Sequence, residues 1–335
     1  MPRMTNVQWR HSLTKGRNLT EELLVNPTIV WIAILAALNL VWAGSYTIMK
    51  MATGSLDAFA IVFWRMAISA LVLIAWNLIK RTSWRIAPRD LMRMLMVGVL
   101  TASSHVLVVA GINYSHASDA SLLYVIEPVW GIVLGTLVLK ERFSRGMFAG
   151  LMLIGTGIVV MTLSSGGILA GAAGTTVWLG NLIVIAGRLC EGSFSVAVKP
   201  VVARYSASIT LMVIVASAAA VLAVPALMVS ERMVPATFGE WGEVLYLALF
   251  CSVAGYLGWI VIMRHVPVNV MYFTIFIQPL TGPLIAWFVI GERIDAGLLI
   301  AGVLLIAGMA FAVSSHVLYV RGRRPDPAEL AVDPV

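Results

Sequence analysis

The stretch GLLIAGVLLIAGMAFAV, residues 297–313, carries no charge and presents apolar side chains in every direction, whatever regular structure it adopts. Water offers such a segment no favourable surface, whereas a run of about 20 mostly apolar residues crosses the hydrocarbon of a bilayer as a helix. The same pattern recurs along the 335-residue chain. Apolar runs near 28–50, 58–79, 91–112, 118–139, 146–163, 176–198, 209–229, 243–263, 269–290 and 297–319 predict ten transmembrane helices separated by short polar punctuation. Only 12% of the residues are charged and 60% are hydrophobic, against roughly 25% charged in a soluble domain. A membrane β-barrel would instead show alternating segments of about ten residues. The fold class expected is an all-α integral membrane protein.

Residues 1–27 are polar and contain Arg3, Arg10, Lys15 and Arg17; the apolar run behind them is too long for the core of a signal peptide and is expected to stay as the first span. The two cysteines, Cys190 and Cys251, fall in separate predicted spans, which implies packed thiols and neither a disulfide framework nor a metal site. A net charge of +7 is spread over membrane loops without forming a continuous basic stripe, so nucleic acid is not an expected partner. The charge reports orientation instead. Of the 23 Lys and Arg residues, 18 lie on the side that holds both termini, while only Arg232 and Arg293 lie in the opposite loops. The positive-inside rule therefore places both termini in the cytoplasm.

YVIEPVWGIVLGTLVLKERFSRG, beginning at Tyr124, aligns without gaps on IFIQPLTGPLIAWFVIGERIDAG, beginning at Ile275. A constant offset of 151 pairs Glu127 with Gln278, Pro128 with Pro279, Gly131 with Gly282, Glu141 with Glu292 and Gly157 with Gly308. The chain thus divides into an amino tail (1–27), a first half (28–163), a Gly/Ser-rich linker (164–175), a second half (176–320) and a carboxy tail (321–335), with five spans in each half. An odd number of spans makes the second half enter from the opposite side, which yields two inverted five-helix repeats. Secondary transporters use that arrangement to place substrate near the midplane and to alternate access.

NLVWAGSYTIMK on the first span, FWR on the second, YSHASDASLLYVIEPVWGIVLGTLVLKERFS across the fourth, and the weaker echo VPVNVMYFTIFIQPLTGPLIAWFVIGERI together resemble the drug/metabolite transporter superfamily, in its ten-span EamA-type form. The resemblance covers about residues 28–320 and is nearest to the YddG-type exporters of aromatic and other amino acids. It implies a bacterial inner-membrane exporter, a cavity lined by spans one, three, four, six, eight and nine, and no cofactor. Another small metabolite or a hydrophobic cation is the alternative cargo. No HExxH, GxSxG, Walker A or CxxC sequence occurs, so an enzyme is not expected. Glycines in GMFAGLMLIGTG and GLLIAGVLLIAG permit close helix approach, which serves packing within a monomer or, alternatively, a homodimer face.

Polar residues inside the spans are the cavity candidates. Asn39, Trp42, Tyr46 and Lys50 share one face of the first span, although Lys50 is close enough to the end to snorkel. The sixth span carries a matching stripe of Arg188, Glu191, Ser195 and Lys199, in which Arg188 and Glu191 either neutralise each other or meet the carboxylate and ammonium of an amino acid. Ser103, Ser104 and His105 cluster on the third span, and the offset pairs His105 with Tyr256. His105 reads as a packed, hydrogen-bonded histidine or as a proton carrier. Arg65 reads as a structural charge. Pro128 and Pro279 read as helix kinks, with freed carbonyls facing protein or water.

Glu127, with Tyr124 one turn away, stands where the second repeat has Gln278, so the scaffold itself does not demand a carboxylate there. Glu127→Gln is expected to fold normally and to alter transport or its pH dependence; flux measured across a pH series checks this, and wild-type flux at every pH would make the glutamate scaffolding.

Overall fold

A computed structural model describes residues 27–139, 145–164, 172–202, 204–263, 265, 271, 274–275 and 277–322, and in these the regular structure is helical throughout. The amino tail, most of the linker and of the carboxy tail, and the Glu141 and Arg142 of the first repeat motif lie outside the described residues.

The helices are α1 (Pro27–Ala52), α2 (Ala58–Ile79), α3 (Pro88–Tyr114), α4 (Ala117–Leu122), α5 (Ile126–Leu139), α6 (Arg145–Ser164), α7 (Ala172–Val202), α8 (Ala207–Val229), α9 (Phe238–Leu245), α10 (Leu257–Ile262), α11 (Ile277–Ile290) and α12 (Ala296–Gly322). A 3₁₀ turn, Leu123–Val125, joins α4 to α5, and a π-helical stretch, Tyr246–Tyr256, joins α9 to α10 in one rod. Among the described residues six segments are long and apolar enough to cross a membrane: 30–52, 58–79, 88–114, 176–202, 207–229 and 238–262. Shorter apolar helical stretches run over 148–161, 277–290 and 296–311.

Local chemistry sets the ends. Asp57 caps α2 by accepting from the amides of Phe59 at 2.9 Å and Ala60 at 3.1 Å. Pro88 opens α3, where its missing N–H has no partner to lose. Thr237 and Glu240 form a reciprocal capping box at the start of α9. Gly291, at φ +69°, follows the last turn of α11 in the left-handed conformation that a side chain resists.

The two repeat prolines stand near helix starts. Pro128 and Pro279 each occupy the third position of a helix, α5 and α11, where no intrahelical N–H bond is required of them. Irregular hydrogen bonding precedes each of them, a 3₁₀ turn before α5 and an i→i−3 bond from the Gln278 amide to the Ile275 carbonyl, 3.0 Å, before α11, on the side where a proline conflicts with the carbonyl four residues back. The prolines inside helices are Pro200, Pro225 and Pro283.

Helix pairs pack in a pattern that the 151-residue offset reproduces. Helix α3 packs along α7, and the equivalent pair is α1 with the π stretch. Helix α8 packs on α3, and its counterpart is α2 with the π stretch; α5 on α7 corresponds to α11 on α1. The α6–α12 and α2–α8 pairs are their own counterparts. At the α6–α12 contact the correspondence extends to single atoms. A Cβ on Gly157 would lie 3.2 Å from the Ala301 carbonyl, and one on Gly308 would lie 2.8 Å from the Gly150 carbonyl. Gly146 faces Ser315 and Gly297 faces Ser164, again one pair and its twin. These glycines are therefore engaged within the chain, between its two halves.

Gly308→Ala forces α6 and α12 apart and is expected to destabilise by about 1–3 kcal/mol, as overpacking does. A Cβ at Gly155 meets nothing within 4 Å, so Gly155→Ala is expected to be neutral or to gain about 0.5–1 kcal/mol of helix stability. Thermal unfolding of both variants in detergent gives the comparison.

Candidate functional site

The site begins with close helix approach. A Cβ on Gly187 would lie 2.9 Å from the Ser104 carbonyl, and Gly111 and Gly180 each face the other's carbonyl at 2.7 Å. Contact at this range holds α7 against α3, which lets a short side chain on one reach the other. Ser104 Oγ donates to Glu191 Oε2 at 2.6 Å. Tyr256, at the end of the π stretch, donates its hydroxyl to Glu191 Oε1. His105 Nδ1 bonds to the Thr101 carbonyl at 2.8 Å, and because a carbonyl only accepts, Nδ1 carries the proton and Nε2 keeps its lone pair. That Nε2 lies 3.4 Å from the Tyr256 hydroxyl.

Across the chamber Arg188 Nη1 meets Glu127 Oε2 at 3.5 Å, and the guanidinium lies over the Tyr124 ring at 5.2 Å from its centroid. Tyr124 donates to Glu127 Oε1 at 3.3 Å. These contacts are longer than those to Glu191, and Arg188 Nε, though buried, has no partner. Arg65 donates from Nε to Ser252 Oγ at 2.7 Å and also faces the chamber.

The walls are aromatic. Trp42 packs edge-on to Tyr256 at 5.9 Å and is anchored by its Nε1–H donating to the Cys251 carbonyl at 2.9 Å. Phe194 packs on Tyr256 at 5.5 Å, and Tyr46 on Tyr124 at 6.1 Å. Tyr46 donates to Gln278 Oε1 at 3.1 Å, while Gln278 Nε2 donates to Asn39 Oδ1 at 2.7 Å. The cavity between these side chains measures about 50 Å³, room for a few waters and nothing larger. This is a contracted chamber.

Trp42, Tyr46, His105, Tyr124, Glu127, Arg188, Glu191, Tyr256 and Gln278 therefore line one space, whereas the Ser195 side chain lies outside the described residues. Lys50 does not join them. Its Nζ donates to the carbonyls of Ile112 at 2.8 Å and Ser115 at 2.6 Å, closing the C-terminus of α3. Lys199 and Ser103 are exposed. Sequence reasoning passed over Arg65, Phe194 and Trp259 as lining residues. Arg65 had a signal in being a charge inside a span; Phe194 and Trp259 stand three residues after Glu191 and Tyr256, on the same helix faces.

Past the end of α3, Glu292 accepts from the amides of Ala117 at 2.8 Å and Ser118 at 2.9 Å, and from Ser118 Oγ at 2.6 Å, tying the second half to the start of α4. Beside it, the hydrogen bond to Asp119 holds the His116 imidazole above its ordinary pKa. Among the described residues no group of His, Cys, Asp and Glu is placed to hold a metal.

Lipid-length helices enclosing a buried, charged chamber define a multi-pass membrane protein. The model of the EamA-like transporter family matches residues 28–163 and again 178–314. The chain belongs to that family, its two matches being two copies of one unit, and it is a transporter and not an enzyme. It is similar to an uncharacterized transporter of Archaeoglobus fulgidus, 26% identical over 82% of this chain and 94% of the relative. A pseudopaline exporter of Pseudomonas aeruginosa is 28% identical over 85% and 95%, and a probable terminal-alkyne amino-acid exporter of Streptantibioticus cattleyicolor 25% over 84% and 91%. A solved crystal structure shares the fold at a TM-score of 0.61 and 19% identity, covering 87% of this chain and 99% of the other.

Gln278→Leu leaves Asn39 Oδ1 and the Tyr46 hydroxyl without this partner. Each unsatisfied buried group costs about 1–3 kcal/mol, so a clear fall in the thermal midpoint of the purified protein is the expected outcome.

Proposed function

We propose that the chain is a bacterial inner-membrane secondary transporter that exports zwitterionic amino acids, aromatic and other neutral ones, by alternating access. It acts through ten crossings arranged as two inverted five-helix repeats, with both termini in the cytoplasm and with lipid as its solvent. The exchange of helix pairs under the 151-residue offset supports the inversion, and the distribution of Lys and Arg supports the orientation.

One observation carries the substrate reading: a buried guanidinium with an unpartnered Nε and one long contact to a carboxylate, in an aromatic-walled chamber. Arginine presents five donors in a planar fork that matches a carboxylate. An amino acid inserted between Arg188 and Glu127 gives its carboxylate to the first and its ammonium to the second, and the charges stay balanced. Glu127 suits the ammonium better than Glu191, both of whose oxygens already accept hydrogen bonds from other helices. Trp42, Tyr46, Tyr256 and Phe194 offer ring faces to the side chain. Because the cavity is contracted, binding requires the two halves to part, which is what rocking about the chamber supplies. The relative named as an amino-acid exporter agrees with this class of cargo.

Vesicles containing the reconstituted protein and loaded with an equimolar mixture of the twenty amino acids are expected to lose neutral and aromatic members saturably. Arg188→Gln is expected to slow that loss at least about tenfold, equivalent to about 1.4 kcal/mol, with Arg188→Lys between the two. Retention of every amino acid together with movement of a hydrophobic cation such as tetraphenylphosphonium would replace this cargo with the alternative one.

A further inference from the structure

We propose that Glu191, Tyr256 and His105 form a proton site, so that the transporter exchanges protons against its cargo; this rests on the alternating-access reading above. The argument is one of hydrogen-bond accounting. With Glu191 ionised, Ser104 donates to Oε2 and Tyr256 donates to Oε1. Transfer one proton from a hydronium ion to Oε1, forming an O–H bond there and leaving a water molecule behind. The carboxylic acid now donates to the Tyr256 oxygen, and the phenol turns its own hydrogen to the free lone pair of His105 Nε2, 3.4 Å away. Ser104 continues to donate to Oε2. In the protonated state every one of these groups has a partner, and in the ionised state only His105 Nε2 waits for one, because the bond from Nδ1 to Thr101 holds His105 in the tautomer whose Nε2 accepts. An ordinary structural carboxylate has no such second set of partners waiting.

Position supports the same reading. His105 and Tyr256 are exchanged by the 151-residue offset and are in contact, so the axis that relates the two halves passes between them. Motion about that axis opens the chamber first to one side and then to the other, while the groups on the axis stay in reach of both. A proton held there is loaded from one side and released to the other without travelling through the protein.

Among the described residues the titratable groups around Glu191 come from its own helix and from those packed against it. Its own helix contributes Arg188 and Cys190, α2 contributes Arg65, and the α4–α5 segment contributes Tyr124 and Glu127. Helix α1 contributes Tyr46, the π stretch contributes Cys251 beside Tyr256, and α8 carries no titratable side chain. Asp119 and Asp90 lie away from the chamber, bonded to Asn181 and Arg204. Two guanidiniums thus face two carboxylates, and one proton changes the net charge of the chamber by one unit in hydrocarbon, where the change is felt strongly. Glu127, loosely tied to Arg188, is left for the cargo.

Infrared titration of the protein in lipid vesicles from pH 4 to 10 tests the site without needing a substrate. A carboxylic C=O band is expected that rises as pH falls, is missing in Glu191→Gln and persists in Glu127→Gln. Ser104→Ala removes a donor to the ionised form and should raise the midpoint by about one to two units, the worth of a hydrogen bond to a charged group. His105→Leu removes the acceptor that serves the protonated form and should lower it. A merely structural carboxylate would not respond with opposite signs. Absence of a Glu191-dependent band, or shifts of equal sign, would overturn the proposal. In vesicles loaded with the amino-acid mixture, an imposed inward proton gradient should accelerate efflux and substrate movement should shift pH; efflux indifferent to the gradient overturns the coupling while leaving the transport reading intact. If no amino acid moves at all, the cargo assignment fails and the titration still decides the proton site.

Discussion

The acceptance of two hydrogen bonds by the Glu191 carboxylate, from Ser104 on α3 and from Tyr256 on the π stretch, is the joint on which the centre of this molecule depends. A charge at the centre of a bilayer costs about 2.5–3.5 kcal/mol even on the insertion scale, so Glu191 is tolerable only if neighbouring helices bring it partners. That demand propagates outward. Ser104 has a short side chain, and it reaches only because Gly187 lets α7 lie against the backbone of α3 at this level. The glycine, the serine and the glutamate are one device spread over two helices.

The two carboxylates of the chamber differ in how they are held, and this separates their tasks. Glu191 is gripped from two other helices, whereas Glu127 has one contact at 3.3 Å to a tyrosine on its own segment and one at 3.5 Å to Arg188. A group gripped on all sides sets architecture or exchanges a proton in place. A group held loosely beside a guanidinium with spare donors can be parted from it by a competing ion pair.

Much of the fold was legible in the sequence because lipid simplifies the problem: apolar length alone locates helices, and the helix ranges fall close to the apolar stretches. The shared face of Trp42 and Tyr46 was legible from spacing, and the pairing of His105 with Tyr256 from the repeat. What escaped depends on distances between helices, which no periodicity encodes. Lys50 looked like part of the chamber stripe until α3 was seen to end beside it with open carbonyls. Around Pro128 the apolar run is unbroken in sequence, whereas the structure has a 3₁₀ turn over Leu123–Val125 just before it. Arg65 was read as a structural charge, but its partner, Ser252, lies 187 residues away and no spacing points to it.

The substitution of Gln278 for Glu127 across the repeats gives two equivalent positions different bonding. Gln278 both accepts, from Tyr46, and donates, to Asn39, and its backbone carbonyl accepts from Ser121 at 2.9 Å. An amide does both with one side chain, whereas an ionised carboxylate has nothing to donate. The amide therefore ties α1, α4 and α11 together, and its side chain is wholly buried. At the equivalent position of the first copy the carboxylate has two long contacts, one to Tyr124 and one to Arg188. Where the first copy holds its side chain loosely, the second uses the same position as a fixed joint.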